Sequence, residues 1–240
     1  QEDLSIENLL KNYADKHVGI DYPGFVASPT ASWKNVTLKH YINEYLKKLE
    51  NMTIYEAHGS NVSKAYLWGP TDSKLFQEDN LVGFDNYKSQ FVPAESYDLY
   101  ECPWWAKEYD LDYQQVVYGM GGKYTGLAFH SHRWVSNEII YGKKLWLLYP
   151  PEKGVDTQNM TSIELLFTMI EEYVDDDTFD LPLMCILEPG ELISIPNGWN
   201  HMSFNLETTA MVGCVHEGGN SQNRAYEHMG REEMESLRAG

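Results

Sequence analysis

The sequence predicts a mostly β domain, a sandwich or barrel, with helices gathered toward its N-terminal end. Two observations predict it. Eight short β-prone runs, at 114–118, 126–132, 138–141, 144–149, 183–187, 192–195, 201–205 and 209–215, follow one another between Gly, Pro and polar turns. Ahead of them, the apolar positions instead fall at helical spacing. At 240 residues the chain buries enough apolar surface to fold without a disulfide framework or a structural metal. A metal found here therefore serves function.

Taken in order, residues 4–13 form a short helical candidate, and the polar stretch after it ends in the turn signal Pro23-Gly24. Leu38, Tyr41, Ile42, Tyr45, Leu46 and Leu49 mark one face of a second helix, with Thr37 as its N-cap. Residues 54–90 break into pieces such as Ala65-Tyr66-Leu67-Trp68, read as strands and loops. An irregular aromatic stretch, 97–113, is expected to cover one side of the core. Ile163, Leu166, Phe167 and Ile170 give one helix inside the β-rich part. These divisions predict an N-terminal elaboration over 1–113, a β core over 114–217 and a tail or helix over 218–240.

Charge excludes one class of function. Thirty-six acidic against 18 basic residues leave a net charge of −18, and no Lys or Arg run offsets it. Because neutralising phosphates supplies most nucleic-acid affinity, this balance argues against a nucleic-acid partner. No stretch is apolar enough for a membrane helix. The chain begins at Gln1, as expected of a product whose leading segment has been removed. Four N-x-[ST] sequons, at Asn35, Asn51, Asn61 and Asn159, point to a glycoprotein of the secretory pathway. Cys102, Cys185 and Cys214 allow one bridge with a free thiol, or three buried thiols.

Three histidines carry the chemistry. His130 and His132 fall in one predicted strand, where a spacing of two puts both imidazoles on the same side of the sheet. His201 follows the turn Pro196-Asn197-Gly198. Three imidazoles suit Fe(II), Zn, Cu or Ni and leave coordination positions open. Gly119-Met120-Gly121-Gly122 lacks the strand-to-helix context of a phosphate loop.

The pattern Gly190, Pro196, Asn197, Gly198, His201, Asn205 resembles the second cupin motif at each fixed position. The segments 129–132, 141–151 and 189–201 are similar, in order, to the metal, cosubstrate and distal-His blocks of the jumonji-C (JmjC) branch of that superfamily. The resemblance spans about 114–217 and implies a double-stranded β-helix. It makes His130 and His201 metal ligands for Fe(II), or for Zn or another divalent ion. It places Lys144 against the distal carboxylate of 2-oxoglutarate, with Lys143 a solvated neighbour, and Asn137 beside the keto acid. Glu138 competes with Asn137 as a ligand or supporting partner, since adjacent strand residues face opposite ways. His132 departs from the carboxylate usual at that position, and Leu127 departs from a frequent Thr. Two functions stay open: an Fe(II)/2-oxoglutarate oxygenase acting on a protein or peptide, or a silent JmjC scaffold or regulatory binding protein. With the sequons, the resemblance implies the endoplasmic reticulum lumen.

Overall fold

The computed structural model describes residues 6–15, 17–22, 32–70, 84–85, 88–89, 111–153, 157, 160–173 and 181–218. The aromatic stretch 97–110, Cys102, Asn159 and the tail 219–240 lie outside the described residues. Eight extended segments of the C-terminal half divide between two sheets, the chain crossing at each step except from β8 to β9. The larger sheet runs β10 (Leu192–Ile195), β7 (Val135–Tyr141), β12 (Thr209–Gly218), β6 (Leu111–Gly121), and continues into β3 (Tyr66–Pro70), β1 (His17–Tyr22) and β2 (Ser32–Thr37). The smaller sheet runs β11 (Asn200–Asn205), β8 (Lys144–Tyr149), β9 (Leu183–Leu187).

A fourth segment completes the smaller sheet. Thr125 to His130 lies antiparallel to β11 through Asn205 N to Thr125 O, Ser203 N to Leu127 O, His201 N to His130 O and His130 N to His201 O, at 2.7–3.1 Å. The expected strand 126–132 is thus an extended segment with a bridge at His130 and no regular ladder. Gly126 makes the close approach possible: a Cβ there would collide with the Ser203 carbonyl. Four strands facing four, with the chain crossing between sheets, is the double-stranded β-helix.

Between the sheets lie Val135, Ile139, Trp146, Leu148, Leu187, Ile195 and Met211. On the back of the smaller sheet, Leu147 and Met202 pack beneath Leu165 and Leu166 of the helix Ser162–Tyr173, which starts at the capping box Thr161/Glu164. The back of the larger sheet carries the N-terminal layer. There Leu38, Tyr41, Ile42 and Leu46 pack on Met120, Ala210 and Val212. Thr37 caps this helix as expected, but its middle, Ile42–Leu46, is π-helical. The Tyr41 hydroxyl donates to Met120 O at 2.8 Å and accepts from Leu67 N at 3.2 Å, which pins the layer to the sheet.

Two expectations change. Residues 54–64 are helical, not strand and loop: Ile54–His58 is a helix with a Thr53/Glu56 capping box, followed by a 3-10 turn, Asn61–Lys64. The region 1–113 is also more than a cover, because β1, β2 and β3 extend the core sheet itself. The hairpin β1–β2 escaped the sequence reading because its polar strands alternate weakly.

Candidate metal centre

The centre grows from the hairpin turns of the barrel. Gly198, at φ +78°, lets the chain reverse so that His201 enters β11 directly opposite His130. Alternation then sends His201, Ser203 and Asn205 into the barrel, while Met202 and Phe204 pack outward. His132 follows His130 by two residues. The three ring centroids stand 4.3–5.3 Å apart, and one nitrogen from each ring lies within 4.8 Å of the others.

All three rings are oriented in the same way. His130 Nδ1 meets Ala128 O at 2.7 Å, His132 Nδ1 meets Arg133 O at 2.6 Å and His201 Nδ1 meets Trp199 O at 3.0 Å. A carbonyl only accepts, so each Nδ1 carries the proton and donates it, and each Nε2 keeps its lone pair. Burial, then the field of His132, pushes the His130 imidazolium down to about 4. Burial lowers His132 as well, and burial with the other two imidazoles holds His201 well below its usual range. Near neutral pH the barrel therefore presents three neutral imidazoles with fixed tautomers. This donor set fits a divalent transition metal.

Lys144 sits farther along the same interior. It opposes Asn205 in the β8–β11 register, four residues along β11 from His201. The side chain is fully buried, and its Nζ donates to Asn205 Oδ1 at 2.7 Å and to the Tyr66 hydroxyl at 2.9 Å. Asn205 in turn donates to Thr125 Oγ1 and Gly122 O. Burial lowers the Lys144 ammonium to about 7 and raises the Tyr66 phenol. Between the two ends stands Trp146, its ring 6.1 Å from His201 and 5.8 Å from Lys144 Nζ.

Asn137 faces inward with Val135 and Ile139, is 2% exposed, and its Oδ1 has no partner. Glu138 opposes Val212 on the back of the sheet, stays outside the three-His set, and is raised by partial burial. Lys143 is partly exposed and pairs with Glu188 at 2.8 Å. Leu127 is buried. Asn35, Asn51 and Asn61 are exposed, with Asn35 bonded to His17.

Sequence reasoning missed Tyr66, Thr125 and the purpose of the glycines at 119 and 121. A Cβ at Gly121 would collide with the Tyr66 ring, so these glycines open the floor across which Tyr66 reaches Lys144. The glycine run read as a failed phosphate loop was the available signal, because glycine inside a strand marks a close approach.

A double-stranded β-helix with a set of inward imidazoles defines a cupin-type metal-binding protein. The chain belongs to the JmjC family. It is 35% identical over 216 residues to JmjC domain-containing protein 8 of Rattus norvegicus, covering 87% of this chain and 66% of that protein. It is 28% identical over 183 residues to 2-oxoglutarate and iron-dependent oxygenase JMJD4 of Danio rerio, covering 72% of this chain and 40% of the relative. Arginine-specific demethylase JMJ20 of Arabidopsis thaliana is 33% identical over 149 residues, covering 58% of this chain and 30% of the relative. The chain thus spans 66% of the rat protein's own length and less than half of the other two. Among solved structures, the Escherichia coli ribosomal oxygenase YcfD, in complex with cobalt and succinic acid, is 14% identical with a TM-score of 0.43, over 92% of this chain and 46% of that one. No protein-family profile matches the chain.

Proposed function

We propose that the three-His centre holds Fe(II), that Lys144 anchors 2-oxoglutarate beside it, and that the chain is the oxygenase-type core of a protein acting on a protein or peptide in the endoplasmic reticulum lumen. The observation that carries this reading is the shared orientation of three Nε2 lone pairs, each set by a backbone carbonyl. A metal bound there would supply electrophilic and oxygen-activating chemistry. The chain's own residues do the rest. Lys144 and Tyr66, both buried, offer donors to one carboxylate of the keto acid. Asn137, whose buried Oδ1 lacks a partner, supports a polar contact with the keto acid. Trp146 walls the space between. The named relatives of the 2-oxoglutarate and iron-dependent class support the cofactors. The exposed sequon asparagines Asn35, Asn51 and Asn61 support the lumenal setting.

His132 favours a second reading, a regulatory JmjC protein that binds metal and keto acid without efficient turnover. A third imidazole in place of a carboxylate removes one negative charge from the centre, which favours the reduced metal over higher oxidation states. Anaerobic calorimetry of 2-oxoglutarate with Fe(II)-loaded protein tests the shared part of both readings. Saturable one-to-one binding, lost in Lys144→Ala, is expected; no binding to folded, metal-loaded protein would sink the keto-acid site.

A further inference from the structure

Lys144 is 0% exposed, and no carboxylate among the described residues lies against it. The groups facing it are Tyr66 from β3, Asn205 from β11, Trp146 from its own strand β8, and Leu187 opposite it on β9. Gly119 and Gly121 of β6 bring no side chain. Tyr66 is the sole ionisable member of this set, and burial keeps it in its neutral phenol form. An ammonium in such a place has lost its water and gained no counter-charge. The hydrogen bonds agree with a different species. Nζ finds two acceptors, the Tyr66 hydroxyl at 2.9 Å and Asn205 Oδ1 at 2.7 Å, and these match the two N–H groups of a neutral amine. The third N–H of an ammonium would find no oxygen acceptor among the described residues, with only the rings of Tyr66 and Trp146 near it.

We infer that Lys144 is an uncharged amine in the empty barrel and takes up one proton from solvent when a dicarboxylate seats a carboxylate against it. Anion binding at this site is then proton-coupled. The inference rests on the reading of Lys144 as the keto-acid anchor and adds its regulation by pH. Burial, which holds this ammonium down at about 7, places the transition at neutrality. The ligand's carboxylates are ionised well below that pH, so the proton goes to the amine. Below about pH 7 the amine is already charged and affinity is flat; above it, affinity falls roughly tenfold per pH unit.

The test is calorimetry of 2-oxoglutarate with anaerobic Fe(II)-loaded protein at pH 6, 7 and 8, each in two buffers of different ionisation enthalpy. Succinate with the metal-free protein repeats it without metal-bound water. The expected uptake is about 0.1 proton at pH 6 and about 0.9 at pH 8, with affinity roughly fivefold weaker at pH 8 than at pH 7. Lys144→Arg, charged throughout, is expected to bind with no uptake and no pH dependence. If the guanidinium prevents folding, a ¹⁵N titration of the wild-type lysine amines identifies the group that gains the proton. Binding at pH 8 with no proton uptake overturns the inference and leaves the anchor standing. Absence of binding even at pH 6 removes the anchor, and the inference with it.

Discussion

His132 is the residue that separates the two proposed readings, oxygenase and regulatory protein. Its Nδ1 donates to Arg133 O, so its Nε2 is committed to the centre as a neutral ligand in the position where a carboxylate is usual. His132→Asp restores one negative charge without crowding the barrel. The variant is expected to keep its metal and to convert 2-oxoglutarate to succinate several-fold faster than wild type, measured by succinate formation in air; an unchanged rate would show that His132 does not limit turnover. At this scale the sequence was largely legible. The strand spacing and the Pro-Asn-Gly turn announced the three histidines, and Lys144 came with the JmjC resemblance. Tyr66 and Thr125 were not legible, because only the sheet register brings them to Lys144 and Asn205 across 78 and 80 residues of sequence.

The segment Thr125 to His130 shows how an element places the centre. It has no regular ladder, yet its backbone bonds to β11 fix His130 opposite His201. A methyl group at residue 126 would push the segment off the Ser203 carbonyl. Gly126→Ala is therefore expected to cost about 2–4 kcal/mol in urea unfolding and to weaken metal retention with it. Gly190→Ala is the useful contrast. Its Cβ would meet nothing within 4 Å, so the penalty is only that of φ +87°, about 1–2 kcal/mol, and the metal is expected to stay. Equal losses in the two variants would contradict this division. The strands were legible to within a few residues because Gly and Pro punctuate them. The N-terminal helix Ile54–His58 was missed although Thr53-x-x-Glu56 is a capping signature, since its five residues are too few to show a period.

For the whole molecule, the buried amine links folding to pH. Unfolding returns Lys144 to water, where its proton affinity is the ordinary one, whereas in the fold burial holds it down to about 7. Between those values the unfolded chain binds more protons, so this group makes stability rise as pH rises from about 7 toward 10. The difference in urea midpoint between wild type and Lys144→Met, both metal-free, is expected to shift toward wild type over pH 7 to 9; a difference that stays constant would mean the amine is charged in the fold. The centre also draws its ligands from two distant parts of the chain, the segment before β7 that carries His130 and His132, and β11 that carries His201. Bound divalent metal is therefore expected to raise the unfolding temperature, and a chelator to reverse the gain.

Three carbonyl-oriented imidazoles equip this barrel to hold a metal ion. The most direct test is elemental analysis of purified protein after anaerobic exposure to Fe(II) and, separately, to Zn(II), followed by exhaustive dialysis. About one metal ion per chain is expected in wild type and in His132→Asp, and less than about a tenth of that in His130→Ala and His201→Ala. Folded wild-type protein that emerges without metal from both exposures would contradict the metal assignment.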